Sequence, residues 1–281
     1  MEPTQDATNP QLPVRPPADV VTPAQSSAMP ALAPVWHTVL LMVLIAGISI
    51  AGSLRVAHAQ EVHNRIATYA ATGVMELLML AWVVWGLRLK RVPLSMLFGH
   101  LRGGANSLFR DLGVALVFWA GALAVLGTVG MVWSGVEALV THGAAPWHVG
   151  GATALTPAKS EAARALMQIA PSNLREAAAW ALLCLVVGIV EESVFRGYFQ
   201  GQFIAWARGN VVVGVAFSAV LFGAAHGYQG LRNMALLVVF GVLFSLLSLF
   251  RRSLRPCMFA HSWHDLIAGL TLGMLKSHHI L

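Results

Sequence analysis

Two adjacent carboxylates and an arginine stand at the end of a long apolar run. Glu191, Glu192 and Arg196 follow the run 177–190. Charged groups cost a few kcal/mol or more at bilayer depth, so they are rarely found there without a function. On a helix, Glu192 and Arg196 lie on one face and can pair. Glu191 points about 100° away from Glu192 and stays free for chemistry.

Two histidine patterns follow in the same half of the chain. His226 comes four residues after Phe222 near the end of one apolar run, and Asp265 comes four residues after His261 in the last run. Each pattern is weak alone, because an i, i+4 pair of polar residues arises by chance. Closure of the three apolar runs on one another would bring Glu191 and the two imidazoles together.

Such a group of side chains is suited to hydrolysis. A carboxylate in an apolar pocket can act as a general base near neutral pH, and a histidine can orient the water. A second histidine with a polar neighbour can stabilise an oxyanion. The chain has no Gly-x-Ser-x-Gly, no His-Glu-x-x-His and no phosphate-binding glycine loop, so the common serine, zinc and nucleotide motifs are excluded.

These three patterns resemble the motifs of the CAAX prenyl protease and bacteriocin-processing family, also called CPBP or Abi. They occur in the family's order, each on a hydrophobic segment, and the resemblance covers about residues 177–275. The motifs read Glu191-Glu192-x-x-x-Arg196, Phe222-x-x-x-His226 and His261-x-x-x-Asp265.

The resemblance implies an α-helical intramembrane endopeptidase whose motifs line one cavity. By that similarity Glu191 and His226 activate the water, and His261 and Asp265 stabilise the oxyanion. The remaining two motif residues would be structural or substrate-orienting: Glu192 and Arg196.

Asp265 departs from the eukaryotic members of the family, which have asparagine at this place. An ionised aspartate cannot donate a hydrogen bond to an oxyanion. Asp265 is therefore protonated, orients His261 or binds a metal. We expect a metal-free route, with zinc held by His226, His261 and Glu191 as the alternative. Two further donors near the last motif are interpreted as packing residues: Cys257 and His264.

The elements that must position these residues are transmembrane helices. The chain has 281 residues and only 11% are charged, against about 25% in soluble domains. We therefore predict an all-α, polytopic transmembrane bundle of seven spans, or eight if residues 135–175 hide a re-entrant piece. The predicted spans are Val35–Leu54, Ile66–Leu87, Leu112–Val132, Ala177–Trp206, Val211–His226, Leu231–Phe250 and Cys257–Leu275.

The chain divides into three parts by composition. Residues 1–34 hold 8 of the 13 prolines and are predicted to be a disordered tail. Residues 35–175 would form the amino-terminal helices and a long connection, and residues 176–281 the catalytic helices. Glu76 is interpreted as a carboxyl group that is hydrogen-bonded in the bundle interior. Two histidines are interpreted as loop residues: His142 and His148.

The basic residues predict the orientation. The net charge of +6 does not indicate nucleic acid, because the basic residues lie mostly in short loops between apolar runs. The clusters at 88–110 and 251–255 then face the cytoplasm, with the amino terminus inside and the carboxyl terminus outside. The resemblance suggests a multi-pass protein of a bacterial cytoplasmic membrane. Its partners would be the lipid bilayer and a membrane or membrane-associated protein or peptide substrate.

Two other functions fit the same residues. One is a non-catalytic immunity or binding protein that keeps the fold, and the intact glutamates and histidines disfavour it. The other is a proton-coupled transporter that uses the buried groups as a relay. The chain shows no internal repeat, which disfavours a transporter built from inverted repeats.

One difficulty concerns depth in the membrane. On straight helices Glu191 lies in mid-span, while His226 and His261 lie toward opposite ends. They can meet only if the helices tilt, shift in depth or break. The residues that favour such a break are Gly223, Gly227 and Pro256.

Overall fold

The computed structural model describes residues 30–58, 62–99, 104–142 and 166–277, and in them the predicted all-α fold is confirmed. Two shorter segments of other helical types join some of the α-helices: a π-helical segment, Glu192–Phe199, and a 3-10 turn, Gly227–Gln229. The helices are α1 (Val35–Ala57), α2 (Arg65–Leu89), α3 (Leu94–Phe98), α4 (Ala105–His142), α5 (Leu174–Glu191), α6 (Gln200–Trp206), α7 (Val211–Ala225), α8 (Gly230–Arg251) and α9 (Arg255–Ser277).

Five helical segments in the described part of the chain are long and apolar enough to cross a membrane. They are α1, α2, residues Ala105–Val140 of α4, the continuous α5–α6 rod Leu174–Trp206, and Gly227–Arg251. The count of seven or eight spans is not confirmed. α7 has 15 residues, about 22 Å against a hydrocarbon core of about 30 Å. α9 is long enough, but its middle carries the polar residues of the last motif.

Two interpretations of the middle of the chain are corrected. The third predicted span, Leu112–Val132, is part of a 38-residue helix that extends in both directions. His142 is therefore the last residue of α4 and not a loop residue. The apolar pattern marked only the central part of this helix, because its ends carry polar residues that are compatible with a helix outside the hydrocarbon core. His148 lies outside the described residues.

The two basic clusters lie at the same end of the bundle. Asp111 of α4 is 2% exposed and accepts hydrogen bonds from Arg251 Nη2 at 2.7 Å and Arg255 Nε at 2.8 Å. The loop after α3 contacts the loop after α8 through a bridge between Gly99 and Ser253. This shared end is what the predicted orientation requires, and which side of the membrane it faces stays a prediction.

The segment before α1 is held by α6. Leu32 and Ala33 are 1% exposed. The Gln202 side chain accepts from the backbone N–H groups of Leu32 at 2.7 Å and Ala33 at 3.1 Å, and it donates to the Ala33 carbonyl at 2.9 Å. The predicted tail boundary at residue 34 therefore falls too late, because a buried amide satisfies this backbone. Residues 1–29 of the predicted tail lie outside the described part.

α9 packs antiparallel against the α5–α6 rod and is displaced along it. A Cβ atom added to Gly197 would lie 3.1 Å from Leu254 Cδ1, and one added to Gly188 would lie 2.9 Å from Ser262 N. α9 thus begins beside Gly197, part way along the rod, and not at its end at Trp206. This displacement moves His261 to the depth of the paired glutamates.

Gly188→Ala should destabilise the protein. The new Cβ would lie 2.9 Å from Ser262 N and 3.1 Å from Met258 O, which are backbone atoms of α9 and cannot turn away. Overpacking of this kind costs about 1–3 kcal/mol. We expect a melting temperature in detergent several degrees lower. Gly121→Ala is the matched control, because a Cβ there meets nothing within 4 Å. Equal melting temperatures for the two variants would contradict the close approach of α5 and α9.

Candidate active site

Three of the predicted site residues meet around the Glu191 carboxylate. His226 Nε2 lies 3.9 Å from Glu191 Oε1, and His261 Nε2 lies 3.7 Å from Glu191 Oε2. These separations exceed a hydrogen bond and are of the size that one water can bridge. The residues come from the end of α5, the end of α7 and the second turn of α9. The structure thus brings a carboxylate and two imidazoles to one point.

Glu192 has two partners on its Oε1 atom. Arg196 Nη1 lies 3.0 Å away, which is the ion pair that the helical spacing predicts. His261 Nδ1 lies 2.7 Å from the same oxygen. A carboxylate accepts, so Nδ1–H is the donor, and the ring presents Nε2 to Glu191. The sequence gives no signal for this second contact, because 69 residues separate the two partners.

Arg196 is buried between aromatic rings. Its guanidinium lies 4.1 Å from the Phe222 ring centroid and 5.4 Å from that of Phe244, with the side chain 1% exposed. Such cation–π contacts favour a desolvated arginine. Phe222 also packs against His226, with ring centroids 4.9 Å apart. The phenylalanine of the second motif therefore links Arg196 to His226.

The π-helical segment Glu192–Phe199 is fully buried. Single-turn π-helical insertions are frequent at functional sites, because the wider turn redirects side chains. Ser218 of α7 donates to the Phe195 carbonyl at 2.7 Å, and Ser193 donates to the Ile189 carbonyl at 2.6 Å. These hydroxyl groups satisfy buried carbonyls at the irregular turn.

His226 occupies the break between α7 and α8. Its φ and ψ are −103° and 28°, outside the helical region. Nδ1 is 2.9 Å from the Phe222 carbonyl, to which it must donate, so Nε2 is left facing Glu191. Because α7 is short, the break lies at the depth of the glutamates. The predicted break near this histidine is therefore observed. Pro256, by contrast, lies in the first turn of α9, where a missing N–H costs no hydrogen bond.

Ser49 of α1 holds this break in place. Its Oγ donates to the Ala224 carbonyl at 2.7 Å and accepts from Gly227 N at 3.1 Å. Both partners are backbone groups at element ends, one at the end of α7 and one at the start of the 3-10 turn, where backbone groups lack intrahelical partners. Ser49 is 5% exposed. Sequence reasoning missed this residue, although Leu41, Ile45 and Ser49 share one buried stripe of α1 at a spacing of four.

Ser49→Ala should slow the reaction more than it destabilises the fold. The variant loses two hydrogen bonds, worth about 1 kcal/mol each, and frees the break that positions His226. We expect kcat to fall on the order of tenfold at constant KM, since small misplacements of reacting groups are costly. Ser53→Ala is the control, because the hydrogen bond of Ser53 Oγ that the structure describes is to the Ser49 carbonyl within α1. Equal kcat in both variants would exclude a positioning role.

Asp265 lies at the open side of the site. Its Oδ2 is 3.6 Å from His261 Nε2, and its side chain is 29% exposed, more than those of the other site residues. Its backbone carbonyl accepts from Trp180 Nε1 at 3.2 Å, which fixes this part of α9 against α5. Asp265 and Glu191 therefore face the same nitrogen of His261.

Glu76 of α2 is buried, but the predicted hydrogen bonding of its carboxyl group is wrong for one oxygen. The side chain is 7% exposed, and Oε2 has no hydrogen-bond partner in the part of the chain that the structure describes. Tyr69 and Gly73, on the same face of α2 as Glu76, pack against Trp180 and Leu183 of α5. This carboxyl group therefore lies on the side of α2 that faces the helix ending at Glu191.

The zinc alternative rests on Glu191, His226 and His261. The facing atoms of these side chains are 3.7 and 3.9 Å apart. In the part of the chain that the structure describes, no group of three His, Cys, Asp or Glu side chains has the arrangement of a metal site. Cys257 is buried, with Sγ 3.6 Å from the Phe244 carbonyl. His264 packs against Phe240, with ring centroids 5.2 Å apart.

Residues 173–267 match the family model described as type II CAAX prenyl endopeptidase Rce1-like. The matched segment contains all three motifs, so the resemblance predicted from them is confirmed. No curated protein and no solved structure matches the chain. The match and the five apolar helices support an integral membrane protein with the activity of a protease.

Proposed function

We propose that this protein is an intramembrane endopeptidase that hydrolyses a peptide bond with a water activated by Glu191 and His226. The observation that carries the proposal is the position of the Glu191 carboxylate, with two imidazole Nε2 atoms at 3.7 and 3.9 Å. No lysine or arginine among the described residues forms an ion pair with Glu191, so its carboxylate is free to take a proton.

The water is activated between Glu191 and His226. Because His226 Nδ1 donates to the Phe222 carbonyl, the neutral ring accepts at Nε2 and can hold one hydrogen of the water. Glu191 takes the other proton as the water oxygen attacks the peptide carbonyl carbon. The carbonyl oxygen becomes an oxyanion in a tetrahedral intermediate.

The oxyanion is stabilised on the side of α9. An imidazolium donates through both nitrogens, and the Glu192 carboxylate beside His261 Nδ1 favours that charged form. His261 Nε2 then donates to the oxyanion, with Asp265 beside it. When the intermediate collapses, the C–N bond breaks and the leaving nitrogen takes the proton from Glu191. The products are one carboxylic acid and one amine, and no cofactor is consumed.

The proposed substrate is a membrane or membrane-associated protein or peptide, in a bacterial cytoplasmic membrane. A proteomic comparison of membranes with active protein and with Glu191→Gln protein should show one or more proteins that are shortened only by the active form. That comparison identifies the substrate without assuming a prenyl group.

A reconstituted assay tests the reaction. Purified protein in proteoliposomes should cleave members of a transmembrane peptide library, retain activity in chelator and contain no stoichiometric metal. Zinc near one per chain together with inactivation by chelator would overturn the metal-free route. Binding of a partner without cleavage would favour the immunity or binding protein. Proton-linked uptake would favour the transporter.

A further inference from the structure

Glu76 is held beside the proposed active site by the packing of α2 on α5. The Tyr69 and Trp180 rings lie 5.4 Å apart, and a Cβ added to Gly73 would lie 3.8 Å from Leu183 Cδ1. The two helices therefore run parallel, and successive turns of α2 lie beside successive turns of α5. Glu76 follows Gly73 by three residues, which puts it level with residue 186 or 187, four to five residues before Glu191, or roughly 6–7.5 Å along the rod.

The carboxyl groups at this site outnumber the fixed cations. Glu192 is matched by Arg196 and His261. The ion pairs of Glu191 and Asp265 within the described chain are with histidines. Glu76 forms no ion pair there, and its Oε2 is buried without a hydrogen-bond partner. Burial of a carboxyl group without a hydrogen-bond or ion-pair partner costs free energy, unless a ligand supplies that partner.

We infer that Glu76 forms a subsite for a cationic side chain, lysine or arginine, next to the scissile bond. The inference rests on the proposed protease function and adds a specificity to it. A lysine or arginine at membrane depth needs a counter-charge. The described site offers the unpaired Glu76 carboxyl group, and its fixed cation, Arg196, already pairs with Glu192. An extended peptide advances about 3.3 Å per residue. A cation held by Glu76 therefore belongs to one of the two residues nearest the bond that Glu191 serves.

Transmembrane peptides that differ at one position test this subsite. The full-length protein in proteoliposomes is given peptides with a single Lys, Arg, Met or Gln moved stepwise through the sequence, and mass spectrometry locates the cuts. We expect the Lys and Arg peptides to be cut at least about tenfold faster than the Met and Gln peptides. The cuts should fall within two residues of the cation.

Variants at position 76 decide whether Glu76 causes the preference. Glu76→Gln should reduce the ratio of Lys to Met cleavage to near one, and Glu76→Asp, which keeps the charge, should retain most of it. Met79→Leu is the control, because Met79 is buried one turn further on α2 without a charge. A wild-type protein without the preference, or a Glu76→Gln variant that keeps it, would overturn the subsite while leaving the protease function intact. If Glu76→Gln does not fold, the ratios of Lys to Met cleavage in the wild-type protein and in Glu76→Asp decide whether the subsite exists. Failure of the wild-type protein to cut any peptide would overturn the protease function itself.

Discussion

Glu191→Gln should abolish turnover and leave the melting temperature nearly unchanged. Glutamine keeps the size of the side chain but cannot take the proton of the water. Loss of a general base costs on the order of 10²–10⁴ in rate, and more when the same group also positions the water. The fold should be unaffected because, among the described residues, neither carboxylate oxygen of Glu191 has an ion-pair partner closer than 3.7 Å.

The measurement is the initial rate of peptide cleavage in proteoliposomes beside the melting temperature in detergent. Glu176→Gln is the matched control, because Glu176 is an ordinary ion-pair partner of Arg65 near the start of α5, at 3.3 Å. The control should cleave at close to the wild-type rate. Full activity of Glu191→Gln would remove Glu191 from the chemistry. A large loss of melting temperature would show that Glu191 has a structural role that its distances do not indicate.

The grouping of the site residues could be predicted because each motif carries its own local geometry. The spacing of Glu192 and Arg196 predicts their ion pair, and the apolar run around each motif predicts a helix. The same periodicity places Glu76 on the buried face of α2. These predictions depend on helix geometry within a few residues, where the hydrophobic pattern and side-chain spacing are informative.

The depth at which the motifs meet could not be predicted, because it depends on contacts between distant segments. Gly188 and Gly197 set how α9 lies along the α5–α6 rod, and nothing in their local sequence names Ser262 or Leu254 as neighbours. The predicted number of spans is not confirmed, for a related reason. α7 is short because α1 supplies Ser49 to end it, so its length is a property of the packing and not of its apolar run.

Glu192→Gln should lower both stability and activity, in contrast to its neighbour. The side chain is fully buried, and its charge faces Arg196 at 3.0 Å and His261 at 2.7 Å. Removal of one partner from a buried ion pair costs about 3–5 kcal/mol, because the other charge is left uncompensated. The Arg196 guanidinium then keeps only the ring faces of Phe222 and Phe244. We expect a melting temperature many degrees lower and a reduced kcat.

A second substitution separates the two roles of Glu192. Arg196→Met removes the uncompensated cation, so Glu192→Gln/Arg196→Met should regain much of the stability that Glu192→Gln loses. Activity should not return, because a neutral amide at position 192 no longer favours the charged His261 ring that donates to the oxyanion. If the double variant recovers both melting temperature and kcat, Glu192 acts only through Arg196. If it recovers stability alone, the 2.7 Å contact between Glu192 and His261 serves the reaction.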